Sequence, residues 1–342
     1  MPAGIIGCGV YLPRLRIKRD EYQKAWGYFA PRWLEEKTVT DFDEDPITMG
    51  VEAASNALRN TKLDASHIDA LYFATTSPPY AEKQNGSTVA TALGCRSDTA
   101  TMDLASSTKC GLAALLSGLD YVGSGRGKVS LIVASDAPAA DPTGPLDHQL
   151  GAGAAAVIVG RDLVNGVVEG SFSVTSESLG ERFRRNGDLF LTVMDLGRFH
   201  ETSSEDTIQT CVKGLMQQLG RSAKDYGFFV LQGVDPGRAL ELGKKLGFED
   251  SKITPGAFTG KVGDAGAASP LLALSKVLES STFKQRVLLC SYGPGAGADA
   301  LSVVADGEMK PAAGLGFDDH LARKEYVDYS TYLKLRRFLG RT

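Results

Sequence analysis

The sequence predicts an α/β protein made of two similar βαβ-rich halves with largely parallel sheets. Three observations carry this. Continuous apolar runs such as VSLIVA (129–134) have the pattern of strands covered on both faces. Between them lie segments of helical period: Leu112, Leu115, Leu116 and Leu119 fall on one helix face. The second half also repeats the first. Ile68–Phe73 (IDALYF) matches Tyr226–Leu231 (YGFFVL), and Lys128–Leu131 matches Arg286–Leu289, each 158 residues later. Gly151 and Gly295 both open a Gly-Ala-Gly-Ala segment, 144 residues apart, because the first half carries a longer loop. Such a repeat is an internal duplication rather than a solenoid, and alternating strands and helices give an α/β sheet. The expected halves are residues 1–165 and 166–342, the latter including a C-terminal tail.

In chain order, GIIGCGV (4–10) reads as a buried strand. YLPRLRIKRDEYQKAWG (11–27) reads as an exposed turn leading into a helix. Residues 46–58 form a helix with Ile47, Val51, Ala54 and Leu58 on one face. Residues 71–75 make a strand and 87–93 a short helix. A strand at 101–104 then runs through Ser-Ser-Thr into the apolar helix that the chain is organised around. Ser106 and Ser107 are candidate N-caps for that helix. Residues 137–150 read as a loop. The helix at 112–122 has its counterpart at 271–280. The loops 75–81, 232–238, 260–269 and 291–298 should converge on the start of the first central helix.

Composition narrows the function. The 342 residues are 43% apolar and 23% charged, with a net charge of −4, as in an ordinary globular protein. That balance argues against nucleic acid as a partner. The basic cluster around Glu181–Arg185 reads as a solvated loop. There is no 18-residue apolar run and no evident signal peptide, so we expect a cytoplasmic protein with no membrane partner. The five cysteines, 8, 95, 110, 211 and 290, have no paired spacing, so neither a disulfide framework nor a metal site is expected. Cys8 and Cys290 lie in strand patterns and read as core. His67, His148 and His320 sit among polar residues and read as surface.

Many ordered segments now point to one family. GIIGCGVYLPRLRIKRDEYQKAWG, DEDPITMGVEAASNAL, TTSPPYAEKQNGSTVATALG, GAGAAAVIVG, GRFHE, KKLGF, GDAGAASPLLAL, SYGPGAGADAL and the tail YVDYSTYLKLRRF resemble the thiolase superfamily. Within it they are similar to archaeal-type 3-hydroxy-3-methylglutaryl-CoA synthases. The resemblance implies a five-layered αβαβα thiolase fold, usually a homodimer, with coenzyme A thioesters as ligands and no covalently bound cofactor. It also implies Claisen-type chemistry. A Cys at the start of the buried helix carries an acyl group and a Glu serves as acid/base. A His and an Asn hold the second thioester, and backbone N–H groups bind an oxyanion.

Carried over by position, those groups have changed. The nucleophile position, counted from Asp103 or back from Gly111, is Thr108. The Glu position is Thr76, the His position Gln232 and the Asn position Asp264. A Ser between the last-strand glycines is Pro294. Gly293, Gly295 and Gly297 would supply oxyanion donors, or simply make a tight turn. Arg238 lies where the resemblance implies a basic residue near coenzyme A. Cys110 stands two residues, roughly 200° of helical turn, from Thr108. On an ungapped alignment it is core; with a local shift it becomes the nucleophile, with His200 or Asp264 assisting.

These substitutions are similar to those of the synthase-like subunit of phloroglucinol C-acetyltransferase complexes. That resemblance implies a catalytically silent subunit whose partners are a thiolase-like chain and a small OB-fold zinc-ribbon protein. Two alternatives stand beside it: an active acyltransferase using Cys110, and a coenzyme A-thioester binding protein that forms no acyl bond.

Overall fold

The computed structural model describes residues 3–178, 181–194, 198–253, 258–306, 309, 311 and 315–338, the side chains of 198–203 excepted. The first half comprises β1 (Gly4–Tyr11), β2 (Leu15–Lys18), α1 (Arg19–Trp26), β3 (Glu36–Val39), α2 (Pro46–Thr61), β4 (Ala70–Ala74), α3 (Asn85–Leu93), β5 (Ala100–Leu104), α4 (Cys110–Gly123), β6 (Val129–Asp136), α5 (Pro145–Gln149) and β7 (Gly153–Gly160). The second comprises β8 (Gly166–Val174), α6 (Arg198–Gln218), β9 (Phe228–Gln232), α7 (Pro236–Lys245), α8 (Thr259–Val262), α9 (Ser269–Ser280), β10 (Arg286–Gly293), β11 (Gly297–Ala305), α10 (Phe317–Ala322), β12 (Glu325–Tyr326) and α11 (Tyr329–Leu335).

Strands in the order β5-β4-β6-β7-β1 form one sheet, and β8-β11-β10-β9 form its counterpart. The two join only where Gly4 and Ile5 pair with Val167 and Gly166. In each half a parallel strand pair continues into an antiparallel one, β4–β6–β7 and β9–β10–β11. The edge strand is where the halves differ. β5 pairs with β4 over five residues, while on the corresponding side of β9 the described residues show a parallel bridge from Phe229 to Ile253.

Three apolar clusters separate the layers. α2 and α3 cover the outer face of the first sheet. α4 and α9 lie between the sheets and touch each other. α6 and α7 cover the second sheet. The result is the five-layered αβαβα thiolase fold. α4 is apolar nearly all round because it is enclosed; Leu112, Leu115, Leu119 and Val122 are buried with Gly111 and Gly118. Both glycines are needed for close approach. A Cβ at Gly111 would strike the carbonyl oxygen of Ala267, and one at Gly118 would strike Ile132.

Several expectations are corrected here. Residues 15–18 are the buried strand β2, not part of an exposed turn. Arg16 is fully buried because its guanidinium donates to the carbonyls of Pro13, Leu15 and His320. α2 buries Met49, Gly50, Ala53, Ala54 and Ala57, while Val51 and Leu58 are half-buried. Small side chains at Ala53 and Ala57 let α2 lie close against Gly9 of β1, while Val51 and Leu58 pack at the edge of the apolar cluster that holds Ile47 and Ala54. Asp45 caps this helix: its carboxylate accepts from Thr48 N at 2.8 Å, and Thr48 Oγ1 accepts from Asp45 N at 2.8 Å. Within the expected loop 137–150, Pro145–Gln149 is a short helix.

The histidine expectation holds only for His67, which is exposed. His148 and His320 are buried. His148 stacks on Phe29 with ring centroids 4.9 Å apart, and His320 meets Tyr11 edge-on at 5.6 Å. Aromatic partners distant in sequence outweigh polar neighbours near in sequence. Among the described residues no helix is long and apolar enough to cross a membrane.

A buried polar cluster holds the C-terminal α11. Tyr22 and Tyr332 donate to Asp147 at 2.8 and 2.6 Å, and Lys37 Nζ lies 3.2 Å from the same carboxylate. Burial lowers the Lys37 pKa from 10.5 to about 8, against the pull of Asp147. The folded state therefore holds fewer protons at this group than the unfolded chain between pH 8 and 10.5. Stability contributed by Lys37 rises with pH across that window, by at most about 1.4 kcal/mol per pH unit. Urea titrations at pH 8.0 and 9.5 should show this rise in the native sequence and a smaller one in Lys37→Met. Equal slopes would refute the assignment.

Candidate functional site

The C-terminal ends of β4 and β6, the start of α4 and the β10–β11 turn meet at one place. A cavity of about 290 Å3 opens there, lined by Thr76, Pro78, Ala105–Thr108, Arg182–Arg184, Leu191 and Pro294. A contiguous lobe of about 160 Å3 shares Thr76, Pro78, Arg184 and Leu191 with it and extends to residues 137–139.

Thr108 is buried in the turn before α4, and its Oγ1 donates to the Tyr292 carbonyl at 3.3 Å. Ser106 adopts φ of +74°, an unusual backbone for a residue with a Cβ. Neither Ser106 nor Ser107 caps α4. Lys109 takes the cap position in a helical conformation with no side-chain cap bond, and the Ser107 carbonyl accepts from Cys110 N at 3.0 Å. The Ser107 hydroxyl accepts instead from Lys109 N at 3.4 Å, in the turn before the helix. Lys109 Nζ pairs with Asp299 Oδ2 at 3.0 Å, fastening the start of α4 to β11.

Beneath the cavity lies Asp136, the last residue of β6, fully buried. Thr76 donates to it twice, from N at 3.1 Å and Oγ1 at 2.6 Å. Thr75 Oγ1 donates at 3.2 Å, Ser77 Oγ donates to its other carboxylate oxygen, and Ala267 N donates at 2.8 Å. Gly266, at φ +51°, must lack a side chain, because a Cβ would strike this carboxylate. Asp136 was missed at the sequence level. The available signal was a carboxylate ending an apolar parallel strand, where α/β sheets place their sites.

Cys110 is one of the buried residues of the central layer and is absent from the cavity wall. Burial, reinforced by the charge of Asp136, raises its thiol to about 12. That is opposite to the shift a thiolate nucleophile needs.

The remaining predicted residues divide. Thr76, Thr108 and Pro294 share the cavity. Asp264 reaches it indirectly: Arg182 Nη1 pairs with its carboxylate at 2.7 Å, and Gly266 N and Ser269 Oγ donate to it at 2.9 and 3.3 Å. Gln232 is buried at the end of β9 opposite Ser291, outside the cavity wall. Gly293 packs on Ser107, where a Cβ would collide, and Gly297 pairs with it across a hairpin. Gly295 sits in the turn at φ +66°. The amide of Ala296 is taken by the Gly293 carbonyl at 2.9 Å, which closes the β10–β11 turn that holds these glycines. Arg238, on α7, is paired with Glu205 of α6 at 2.8 Å and with Glu241 at 3.4 Å, away from the cavity. The His200 side chain lies outside the described residues. The 181–185 cluster is not simply a solvated loop: Arg182 is mostly buried, and Phe183 and Arg184 also wall the cavity.

Fold and cavity together define a thiolase-fold protein with its site at the start of the buried central helix. The chain belongs to the hydroxymethylglutaryl-CoA synthase family. It is 34% identical to the hydroxymethylglutaryl-CoA synthase of Thermococcus onnurineus, covering 98% of this chain and 96% of that one. It is 33% identical to that of Pyrococcus furiosus over the same shares. No protein-family model matches. Among solved structures, an HMG-CoA synthase complexed with CoA superposes with a TM-score of 0.85 at 20% identity, covering 98% of this chain and 90% of that one. MvaS in complex with 3-hydroxy-3-methylglutaryl coenzyme A gives 0.82 at 20% identity, covering 98% and 91%. The 3-oxoacyl-[acyl-carrier-protein] synthase III of Aquifex aeolicus gives 0.80 at 20% identity, covering 88% and 99%. At such identities these structures establish the fold.

Two outcomes follow from this geometry. Asp136→Ala should lower unfolding free energy by about 3–5 kcal/mol in urea titrations, since it orphans several buried donors at once; a loss under 1 kcal/mol would contradict the role given to this carboxylate. With iodoacetamide at pH 7.5, half-exposed Cys95 should react first and Cys110 only on unfolding. A thiol near pKa 12 is under about one part in ten thousand thiolate there. Rapid native labelling of Cys110 would contradict its burial.

Proposed function

We propose that this chain is a catalytically silent, synthase-like subunit of a CoA-dependent acyltransferase assembly. One observation carries the reading: the cavity at the mouth of α4 offers the hydroxyls of Thr108 and Thr76, while Cys110 is buried outside it with a raised pKa. A threonine hydroxyl becomes an acyl carrier only when a base removes its proton. Thr108 Oγ1 donates instead to a backbone carbonyl, and Gln232 does not titrate. Thr76 is committed to Asp136 and is no acid near neutral pH.

On this reading a partner performs the Claisen-type or acyl-transfer step. The proposed partners are a thiolase-like subunit and a small OB-fold zinc-ribbon protein. A second copy of this chain is also proposed, and the edge strand β5 is suited to it. Its outer backbone groups are unpaired in the sheet, and Met102 is exposed. Coenzyme A or its thioester is the proposed ligand, by analogy with the neighbours solved with CoA and HMG-CoA. The five free thiols suit a cytoplasmic location.

The names of the relatives favour a second reading, an active synthase-like acyltransferase. Incubation of the purified chain with radiolabelled acetyl-CoA separates the two. The silent reading expects no acid-stable label on this chain alone and label on a co-purifying thiolase-like chain. Label on Cys110 of the isolated chain would establish the active reading instead.

A further inference from the structure

We infer that the cavity at the mouth of α4 binds a small carboxylic acid through Arg182 and Arg184. The inference rests on the reading of this cavity as a pocket that no longer carries acyl chemistry, and it names the ligand class retained there.

The charge of the cavity carries the argument. Among the described residues, Arg182 and Arg184 are the ionisable side chains lining its two lobes; no described carboxylate, lysine or histidine does so. Arg182 is held by Asp264 through Nη1, but its Nη2 is buried with no acceptor among the described residues. An unmet guanidinium N–H in a buried place favours any ligand oxygen that reaches it. Arg184 donates from Nη1 to the Asp188 carbonyl, a neutral group, and no carboxylate among the described residues pairs with it. Its charge thus meets no counter-charge among the described residues, and it stands on the wall common to both lobes. The neighbouring cation, Lys109, is neutralised by Asp299 and adds nothing.

The shape and remaining chemistry narrow the class. A guanidinium presents a planar fork that matches a carboxylate in two parallel hydrogen bonds. The wall also carries Ser106 and Ser107, hydroxyls able to meet a further ligand oxygen. The main lobe, about 290 Å3, stands at the low end of small-molecule sites. An oxo- or hydroxy-acid of a few carbons satisfies charge, hydroxyls and volume together.

The test is calorimetry on the full chain, with acetoacetate as probe and acetoacetamide as its neutral counterpart. Acetoacetate should bind and acetoacetamide should bind at least tenfold more weakly. Arg184→Gln should weaken acetoacetate at least tenfold; this side chain is exposed, so the variant is expected to melt with the native protein. Arg182→Lys, which keeps the charge beside Asp264 but loses the fork, should weaken it by a smaller factor. Equal binding of acid and amide, or no binding of either, would overturn the inference. Inorganic phosphate that competes with equal affinity would overturn the carboxylic-acid class. Acetyl label on the isolated chain would sink the silent-subunit reading by itself, and the acid–amide comparison would still stand or fall separately.

Discussion

The arrangement at the mouth of α4 depends on one buried carboxylate. Asp136 ends β6 with no cation against it, and donors from two loops satisfy it instead. Thr75, Thr76 and Ser77 approach from the end of β4, and Ala267 approaches from the second half of the chain. A charge in a dry interior is tolerated only when such donors converge on it. The two loops are consequently fixed relative to each other, and Gly266 must be glycine for the second to come close enough. Burial raises the Cys110 thiol beside it, and the same charge adds to that shift. A single residue thus positions the walls and reinforces the effect of burial on a neighbouring sulfur.

The duplication explains why that place lies between the halves. α4 and α9 sit back to back between the two sheets, so the loop before each helix meets the other half. Gly111 of α4 accepts the Ala267 carbonyl against its backbone, and Ser107 presses on Gly293 of the β10–β11 hairpin. The first half supplies the hydroxyls of Thr76 and Thr108. The second supplies Asp264, which reaches the cavity only by holding Arg182. Among the described residues, the first half has β5 as an edge strand and the second has a bridge at Ile253 in the corresponding place.

Strands and central helices were legible because their signals are local. The apolar run of β6 and the periodicity of α4 need no knowledge of distant residues, and the 158-residue repeat fixed how the halves correspond. Several of the misplaced features depend on partners remote in sequence. Arg16 looks exposed until carbonyls from two other segments surround it. His148 and His320 look like surface residues until Phe29 and Tyr11 pack on them. Arg182 reads as one charge in a basic cluster until Asp264, 82 positions away, pairs with it. Asp136 had a weak signal, its place at a strand end, which counting from family motifs passed over.

Several of the contacts that build the cavity are made by backbone. Gly111 against Ala267, Gly293 against Ser107, and Asp136 against the amides of Thr76 and Ala267 do not draw on the side chains at positions 76, 108, 232 and 264. Reactive groups held in a cleft are commonly unfavourable for folding, and their replacement tends to leave stability equal or improved. Thr76 illustrates this: its hydroxyl gives the buried Asp136 a donor, where a glutamate would set a second carboxylate beside it. A frame of this kind is free to outlast its reaction. On the silent-subunit reading, what continues to constrain the cavity is its packing and its charge. In this chain that charge is the pair of guanidinium groups at 182 and 184.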